Sequence, residues 1–234
     1  MALALLTHDT DEIAPAERAL ASCGFLLAFD VYGRASDIAK AQRVELRPPL
    51  RSQRGVATSW TLTLFPSNST VTSKTWQQDE TAEMGGSHPD RRWLQKLCPL
   101  MVGYRSSDPR LLAMEPARYQ FLFRLARRLA SLPPIGAHRL RHGGASADAL
   151  LRGEQHVTDL ALAARGRWAS IASIKRYRQP VHYLRVLHEM PAAQRSLAAS
   201  APHRVPLLVR SLLSQPTLKG PVKTQSSKFV FPMP

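Results

Sequence analysis

Prolines occur throughout this 234-residue chain, and their positions limit the folds that it can adopt. The proline ring fixes φ and removes a backbone donor, so it is tolerated in the first turn of a helix and ends helices elsewhere. Pro15 begins a helical pattern that extends to about Phe29, and Pro133 and Pro134 close a second pattern that begins at Pro116. The eighteen prolines therefore predict many loops and bounded helices.

Helical patterns follow one another along most of the chain. A break at Gly33 separates the first helix from a short second helix that begins near Ser36 or Asp37. Further helices are predicted over residues 90–98, 109–114, 116–132, 138–151, 157–164, 171–178, 181–189 and 203–214. In the 116–132 helix, four apolar residues are predicted to share the buried face: Phe121, Leu122, Leu125 and Leu129.

Residues 44–76 differ from the rest and are typical of a small β-structure. The segment from Trp60 to Phe65 alternates and is rich in Thr and aromatic residues, which predicts a strand. Turn residues follow at 66–69, and Val71 to Thr75 is the expected returning strand, which carries Lys74. The chain is therefore predicted to be an α+β protein, mainly α-helical, with a small antiparallel β-sheet or hairpin.

Positive charge is the strongest bulk feature, with 32 Lys and Arg against 17 Asp and Glu and a formal net charge of +15. Such a surface attracts polyanions, of which nucleic acid is the commonest, although charge alone does not separate nucleic acid from an anionic membrane or from simple solubility. No acidic residue lies between Leu160 and His188. The basic residues of this stretch that we expect to contact nucleic acid are Arg165, Arg167, Lys175, Arg176 and Arg178.

The cysteine and hydropathy patterns bear on the compartment. Cys23 and Cys98 form neither a metal-type pair nor a disulfide framework, so a reducing compartment fits. The short apolar run at the N-terminus lacks the basic start of a signal peptide, and no apolar run approaches the roughly 18 residues of a membrane span. We expect an intracellular protein with no membrane partner, in the nucleus of a eukaryote or the cytoplasm of a prokaryote.

Two clusters of residues are candidates for chemistry. On a helix, His138, Arg141 and His142 fall on one face, three and four positions apart. This face suits an anionic partner, but a solvated polar face or a metal pair of the two histidines would have the same spacing, and no HExxH pattern is present. Trp168 and Tyr177 lie nine residues apart among basic residues. Taken singly, a tryptophan is usually core and such a tyrosine is usually surface.

In this order and spacing, the residues resemble the catalytic domain of the tyrosine recombinases, also called the phage-integrase family. The family's signature is a first Arg, a Lys on a β-hairpin, a His-x-x-Arg box, a His or Trp, and a Tyr nucleophile. The matching residues are Arg34, Lys74, His138, Arg141, Trp168 and Tyr177. Asp37 stands where the first box carries its acid, and Arg167 departs from the Leu-Gly-His run of many members. The resemblance covers about residues 15–185.

The resemblance implies a recombinase-like catalytic domain over residues 15–190, preceded by a loose leader at 1–14. A C-terminal helix and a Pro-rich, disordered tail are expected over 191–234. The chain begins just upstream of the first catalytic helix, so we expect the family's N-terminal DNA-clamping domain to be absent. Residues 181–214 are candidates for docking onto a neighbouring subunit, because the family's C-terminal helix does so.

The resemblance also implies a reaction: DNA cleavage and rejoining through a 3′-phosphotyrosyl intermediate at Tyr177, for site-specific recombination or mobile-element integration. Arg34 and Arg141 would bind the scissile phosphate, and His138 would accept the phenolic proton or donate to the phosphate. Trp168 would donate through its indole N–H or pack to hold Tyr177.

Lys74 would be the general acid for the leaving 5′-hydroxyl. No metal, other cofactor or ATP is implied, and the partners are double-stranded DNA and further copies of the chain, in a tetramer. We expect His142 to have a supporting or structural role and Tyr32 to have no catalytic role. Tyr183 is a less favoured nucleophile because it lies outside the family spacing.

Two other functions fit the same sequence. A catalytically inactive DNA-binding remnant of a mobile element would keep the basic surface without cleaving DNA. A type IB topoisomerase shares the phosphotyrosyl chemistry and would relax supercoils alone.

Overall fold

The computed structural model of this chain describes residues 1–50, 59–64, 80–85, 89–150, 158–168, 170–177 and 179–215. These residues form a mainly helical structure with one small antiparallel sheet, so the predicted α+β class is confirmed. The described α-helices span Ala2–Leu6 (α1), Pro15–Asp30 (α2), Ala35–Lys40 (α3), Cys98–Gly103 (α4), Pro116–Leu129 (α5), His138–Leu150 (α6), Asp159–Gly166 (α7), Ile171–Tyr177 (α8), Pro180–Glu189 (α9) and Ala192–Ser214 (α10). Short 3-10 helices span Arg43–Glu45 and Pro89–Lys96.

Proline marks several helix starts, as predicted. Helices α2, α5 and α9 each begin at a proline. This placement is favourable because the first turn of a helix needs no backbone donor at that residue. The last helix is the exception: it begins at Ala192 rather than near 203, and Pro202 and Pro206 lie inside it. Val205 and Val209 on the same helix are fully buried, and this burial offsets the hydrogen bonds that the prolines remove.

The sheet consists of strands Leu46–Arg47 (β1), Thr61–Leu64 (β2) and Glu80–Glu83 (β3) in the order β1-β2-β3, with both pairs antiparallel. The predicted strand from Trp60 is confirmed over 61–64, and Leu62 and Leu64 alternate into the core. Within the described residues, β2 pairs on one side with β3 and on the other with β1. The predicted returning strand at 71–75, with Lys74, lies outside the described residues.

The prediction of a helix over 109–114 is wrong. The backbone there pairs instead with the segment after α3: the N–H of Leu111 donates to the carbonyl of Ala41, and the N–H of Arg43 donates to the carbonyl of Pro109. Leu111 and Leu112 are fully buried. Because these long-range bonds satisfy the backbone, the segment needs no helical bonds of its own.

The buried face of α5 agrees with the predicted one only in part: Leu122 is buried and Leu125 packs against the main core, as predicted. Four residues of this helix are buried: Tyr119, Leu122, Phe123 and Ala126. Phe121 is 38% exposed and Leu129 is 36% exposed. The exposed Phe121 ring instead packs against the Arg118 guanidinium, whose central carbon lies 5.1 Å from the ring centroid. The apolar periodicity therefore predicted the helix and two residues of its buried face, Leu122 and Leu125, but not Phe121 and Leu129.

The expectation of a loose leader at 1–14 is wrong for its first part. Residues Ala2–Leu6 form α1, and Leu3, Leu5 and Leu6 are buried in the main core. Helix α10 packs against both α1 and α2, so much of the segment expected to dock onto a neighbouring subunit is packed on its own chain. The predicted Pro-rich tail beyond residue 215 lies outside the described residues.

Two hydrophobic clusters position the candidate site. The larger one surrounds α2, which contacts α1, α3, α5, α6 and α10. The smaller one joins Tyr32 to apolar residues of the three helices α6, α7 and α8, and Trp168 and Tyr177 pack against it. Helix α6 approaches the end of α2 so closely that a Cβ at Gly144 would lie 1.9 Å from the carbonyl oxygen of Phe29.

Among the described residues, no helix has the length and apolar character needed to cross a membrane.

Candidate active site

Tyr177, the last residue of α8, lies in a group of aromatic rings. It is half-buried. Its ring stacks on His142 with centroids 4.5 Å apart and on Trp168 with centroids 4.8 Å apart, both at an interplanar angle of 28°. His138 meets the same ring steeply, at 72° with centroids 5.6 Å apart. The structure therefore brings together the predicted nucleophile, the predicted Trp and both histidines of the helical box.

The turn after α7 places Trp168 in this group. Arg167 follows the helix in the left-handed conformation, with φ 52°, and the N–H of Trp168 donates to the carbonyl of Ala163. The indole then folds back over Gly166, where a Cβ would lie 2.4 Å from the ring. The other neighbour of the indole is Tyr32, whose ring is stacked on it at 5.9 Å. Glycine is required at 166 because the indole occupies the space of a side chain.

Arg141 lies behind these rings. It is only 1% exposed, and its Nη2 donates to the carbonyl oxygen of Gly166 at 2.5 Å. The centre of its guanidinium lies 5.1 Å from the centroid of the Trp168 ring and 5.3 Å from that of Tyr177. Both distances are within the range of cation–π attraction. Burial lowers the pKa of Arg141 to about 10, and the positive charges of Arg167 and Arg34 add to this effect.

The two histidines of α6 are pushed towards their neutral forms. Burial lowers the pKa of His138, with further contributions from Arg141 and Arg34. Burial lowers the pKa of His142 to about 4, with further contributions from His138 and Arg139. Near neutral pH, each ring therefore has a nitrogen that can accept a proton. His142 Nδ1 is buried and has no hydrogen-bond partner among the described residues.

A cleft of about 340 Å³ opens beside Tyr177. Its walls come from α3, α6, α8 and the turn after α7, and the lining residues are Arg34, His142, Arg167, Trp168, Ser173, Arg176 and Tyr177. Arg34 is the N-cap residue of α3, and its Nη1 lies 3.7 Å from the Asp37 carboxylate. The predicted first Arg and the predicted nucleophile thus share one cleft, although they are far apart in sequence.

No family model, curated protein sequence or solved structure significantly matches this chain.

A buried charge network next to the site was not predicted. Asp30 and Asp148 are buried, and the Arg91 guanidinium lies 2.6 Å from the Asp148 carboxylate and 3.8 Å from that of Asp30. The Tyr32 hydroxyl donates to Asp148 as well. Burial raises the pKa of Asp30, against the opposing effect of Arg165. The one sequence signal for this network was Asp148, which follows Arg141 by seven residues and so shares its helical face with the buried Ala145.

Arg165, predicted to contact nucleic acid, belongs to the same network. Its side chain is 13% exposed, and its guanidinium donates to the backbone carbonyl of Asp30 at 2.9 Å and lies 3.3 Å from the Asp30 carboxylate. This differs from the surface position expected for a DNA contact, because a buried carboxylate holds the guanidinium inside. We therefore treat Arg165 as a structural residue.

The other predicted nucleic-acid contacts are placed differently. Arg176 is exposed and lines the cleft, and Lys175 is exposed on the same helix. Lys74 and Arg178 lie outside the described residues.

Tyr183, the less favoured nucleophile, is half-buried in α9, and burial raises its pKa. His142, expected to have only a supporting role, lines the cleft itself.

Proposed function

We propose that this protein cleaves and rejoins DNA strands through a covalent bond to Tyr177, in site-specific recombination or mobile-element integration. The observation that supports this best is the shared cleft of Tyr177 and Arg34, flanked by Trp168 and His142. A phenol beside an accessible guanidinium is the minimum that phosphoryl transfer to tyrosine requires. Self-association into a tetramer on two DNA duplexes is part of this proposal.

The reaction needs no water or ATP. The phenolic oxygen of Tyr177 forms a bond to phosphorus as the bond from phosphorus to the 5′-oxygen breaks, which leaves a 3′-phosphotyrosyl link and a free 5′-hydroxyl. The reverse attack by a 5′-hydroxyl restores the phosphodiester. Negative charge builds on the non-bridging oxygens during each step, and Arg34 is placed to stabilise it.

Two proton transfers accompany the first step. The phenolic proton passes to a base, for which neutral His138 and His142 are the candidates, since both contact the Tyr177 ring. The leaving 5′-oxygen takes a proton from an acid, and Lys74 stays the predicted residue for that role. Two histidines with lowered pKa values make the base available near neutral pH.

A second candidate function is DNA binding without cleavage. It is favoured by the burial of Arg141, which is 1% exposed behind the Tyr177 and Trp168 rings and is therefore not open to a phosphate in this conformation. A remnant of a mobile element that had lost strand cleavage would still keep the net charge of +15 and the accessible Arg34 and Arg176.

A trapping experiment separates the two functions. The protein is incubated with a pool of nicked duplexes of randomised sequence, in which the fragment carrying the 5′-hydroxyl is lost by diffusion after cleavage. We expect the wild type to form a denaturant-resistant protein–DNA adduct and Tyr177→Phe to form none. Tyr183→Phe is the matched control and should form the adduct. A wild type that binds the pool and yields no adduct would favour the non-catalytic function, and an adduct in Tyr177→Phe would remove Tyr177 as the nucleophile.

A further inference from the structure

Tyr32 occupies a backbone position at which glycine is usual. Helix α2 ends at Asp30 and its C-cap is Val31. The N–H of Gly33 then donates to the carbonyl of Ala28, which is the long-range bond of a Schellman helix end. Tyr32 is the residue of this motif that takes the left-handed conformation, with φ 48°. A residue with a Cβ pays a free-energy cost there that glycine avoids, so contacts of the side chain have to offset it.

The Tyr32 side chain is fixed by groups from other parts of the chain. It is fully buried, and its hydroxyl donates to the buried Asp148 carboxylate on α6. The same carboxylate is held by the Arg91 guanidinium at 2.6 Å. The Arg165 guanidinium on α7 lies over the Tyr32 ring, 5.6 Å from its centroid. The position of the ring is therefore set by the buried charge network and not only by its own backbone.

The indole of Trp168, in contrast, has no hydrogen bond that fixes its orientation. Its Nε1 is buried and has no partner among the residues that the structure describes. The indole stacks on two tyrosine rings, that of Tyr32 with centroids 5.9 Å apart and that of Tyr177 with centroids 4.8 Å apart. Stacked rings at such distances attract each other in preferred offset arrangements. The three rings form a column whose buried end is Tyr32 and whose cleft end is Tyr177.

From this geometry we infer that Tyr32 is a positioning residue, which fixes the Trp168 indole and, through it, the Tyr177 ring from the buried side of the cleft. The hydrogen bond to Asp148 anchors the column to the charge network. Tyr32 is not among the residues that line the cleft, so it acts through the other two rings. The placement of the rings follows from the contacts alone, whereas its consequence for strand cleavage rests on the proposed function.

The first test is Tyr32→Phe, which removes the hydroxyl anchor and keeps the ring. Nuclear magnetic resonance of the full chain with isotope-labelled Trp and Tyr rings follows the column, and Trp168→Phe and Tyr177→Phe assign the two signals. We expect Tyr32→Phe to shift or broaden the signals of both rings because the column is no longer anchored. The Tyr177 signal decides the outcome, since the described ring contacts join Tyr177 to Tyr32 only through Trp168.

Tyr119→Phe is the matched control. Tyr119 is also fully buried, but its hydroxyl has no hydrogen-bond partner among the described residues, and its ring packs on Phe25 in the main core. The control should leave the Trp168 and Tyr177 signals in place. Trp60 and Trp93 pack against the main core, so their unchanged signals would show that each variant is folded.

The second test is the rate of adduct formation at saturating DNA in the trapping assay. We expect Tyr32→Phe to form the adduct at least about tenfold more slowly than the wild type, because a misplaced nucleophile loses the advantage of its orientation. The affinity for DNA should stay unchanged, since Tyr32 does not line the cleft. A purely structural defect would instead lower the final yield of adduct and leave the rate of the folded fraction unchanged. Tyr119→Phe should match the wild type in rate and yield.

Tyr32→Gly is the second variant if Tyr32→Phe does not fold, as judged by circular dichroism. Glycine relieves the backbone cost at φ 48° but removes the ring, so both signals should move further. An unchanged Tyr177 signal in a folded Tyr32 variant would overturn the inference, and so would an equal change in Tyr119→Phe.

The inference and the proposed function can fail separately. If both signals change and the wild type forms no adduct, the positioning role stands and the strand-cleavage function falls. If the wild type forms the adduct and a folded Tyr32 variant forms it at the same rate, the function stands and the positioning role falls.

Discussion

The Ser146 hydroxyl donates a hydrogen bond to the backbone carbonyl oxygen of Tyr177 at 3.1 Å, at the C-terminal end of α8. The Ser146 hydroxyl oxygen in turn accepts a hydrogen bond from the N–H of Gln179 at 3.0 Å. Ser146 lies on α6, the helix that also carries Arg141 and His142. One side chain therefore links the end of α8, where Tyr177 lies, to α6, which carries His142.

Ser146→Ala is expected to loosen this tie. The substitution leaves a part-buried carbonyl and a part-buried N–H without this partner, and we expect it to cost about 1 kcal/mol of unfolding free energy. Urea denaturation measures this loss, and the trapping assay should show slower adduct formation. Ser214→Ala is the matched control, because the Ser214 hydroxyl is exposed and bonds only within its own helix. Equal stability of the two variants would contradict the tethering role.

We expect the free energy of unfolding to decrease as the pH is lowered, because of His142. Its pKa drops from 6.5 in the unfolded chain to about 4 in the folded protein, so the unfolded chain binds the proton first as the pH falls. The stabilisation is therefore complete above about pH 6.5 and is lost progressively towards pH 4. After discounting for solvent screening, we expect a loss of roughly 1 kcal/mol from this residue.

Denaturation curves across that pH range measure the effect. His142→Asn should flatten the pH dependence relative to the wild type, and His203→Asn, an exposed histidine outside the cleft, is the matched control. A His142→Asn curve that runs parallel to the wild-type curve would show that the half-buried ring does not lose stability on protonation.

Asp148→Asn should be among the most damaging single substitutions. It removes the charge that faces Arg91 at 2.6 Å and Arg165 at 3.7 Å, and it leaves both guanidinium groups in a buried setting. Breaking a buried ion pair in this way costs about 3 kcal/mol. The control is Glu189→Gln, which removes an ion pair to Arg185 in which both side chains are 65% exposed; the expected change is under about 0.5 kcal/mol. Thermal and urea unfolding compare the two, and a difference below about 1 kcal/mol would argue against a structural role for the network.

Gly144→Ala is expected to separate α6 from α2. The new Cβ would lie 1.9 Å from the carbonyl oxygen of Phe29 and 2.8 Å from the ring of Tyr32, so the backbone has to move. We expect a loss of about 3 kcal/mol, since overpacking outweighs the gain of up to about 1 kcal/mol in helix propensity. Gly103→Ala, where the added carbon meets nothing within 4 Å, is the control. Unfolding midpoints measure both variants, and equal midpoints would contradict the close approach of the helices.

Local patterns located most helices because their causes are local. The start of α2 at Pro15 and the common face of His138, Arg141 and His142 follow from proline geometry and helical spacing. The segment at 109–114 failed because its backbone donors find partners near Ala41 and Arg43, which no local pattern encodes.

The amino-acid sequence by itself determined the basic character of the chain, its mainly helical α+β class and the spacing that sets Trp168 and Tyr177 among positive residues. Only the tertiary structure decided which of those residues meet. Arg165 was drawn inside by buried Asp30, and Arg141 was covered by two aromatic rings. Both outcomes depend on segments far apart in sequence, since burial and charge pairing are set by what packs against a residue and not by its neighbours along the chain.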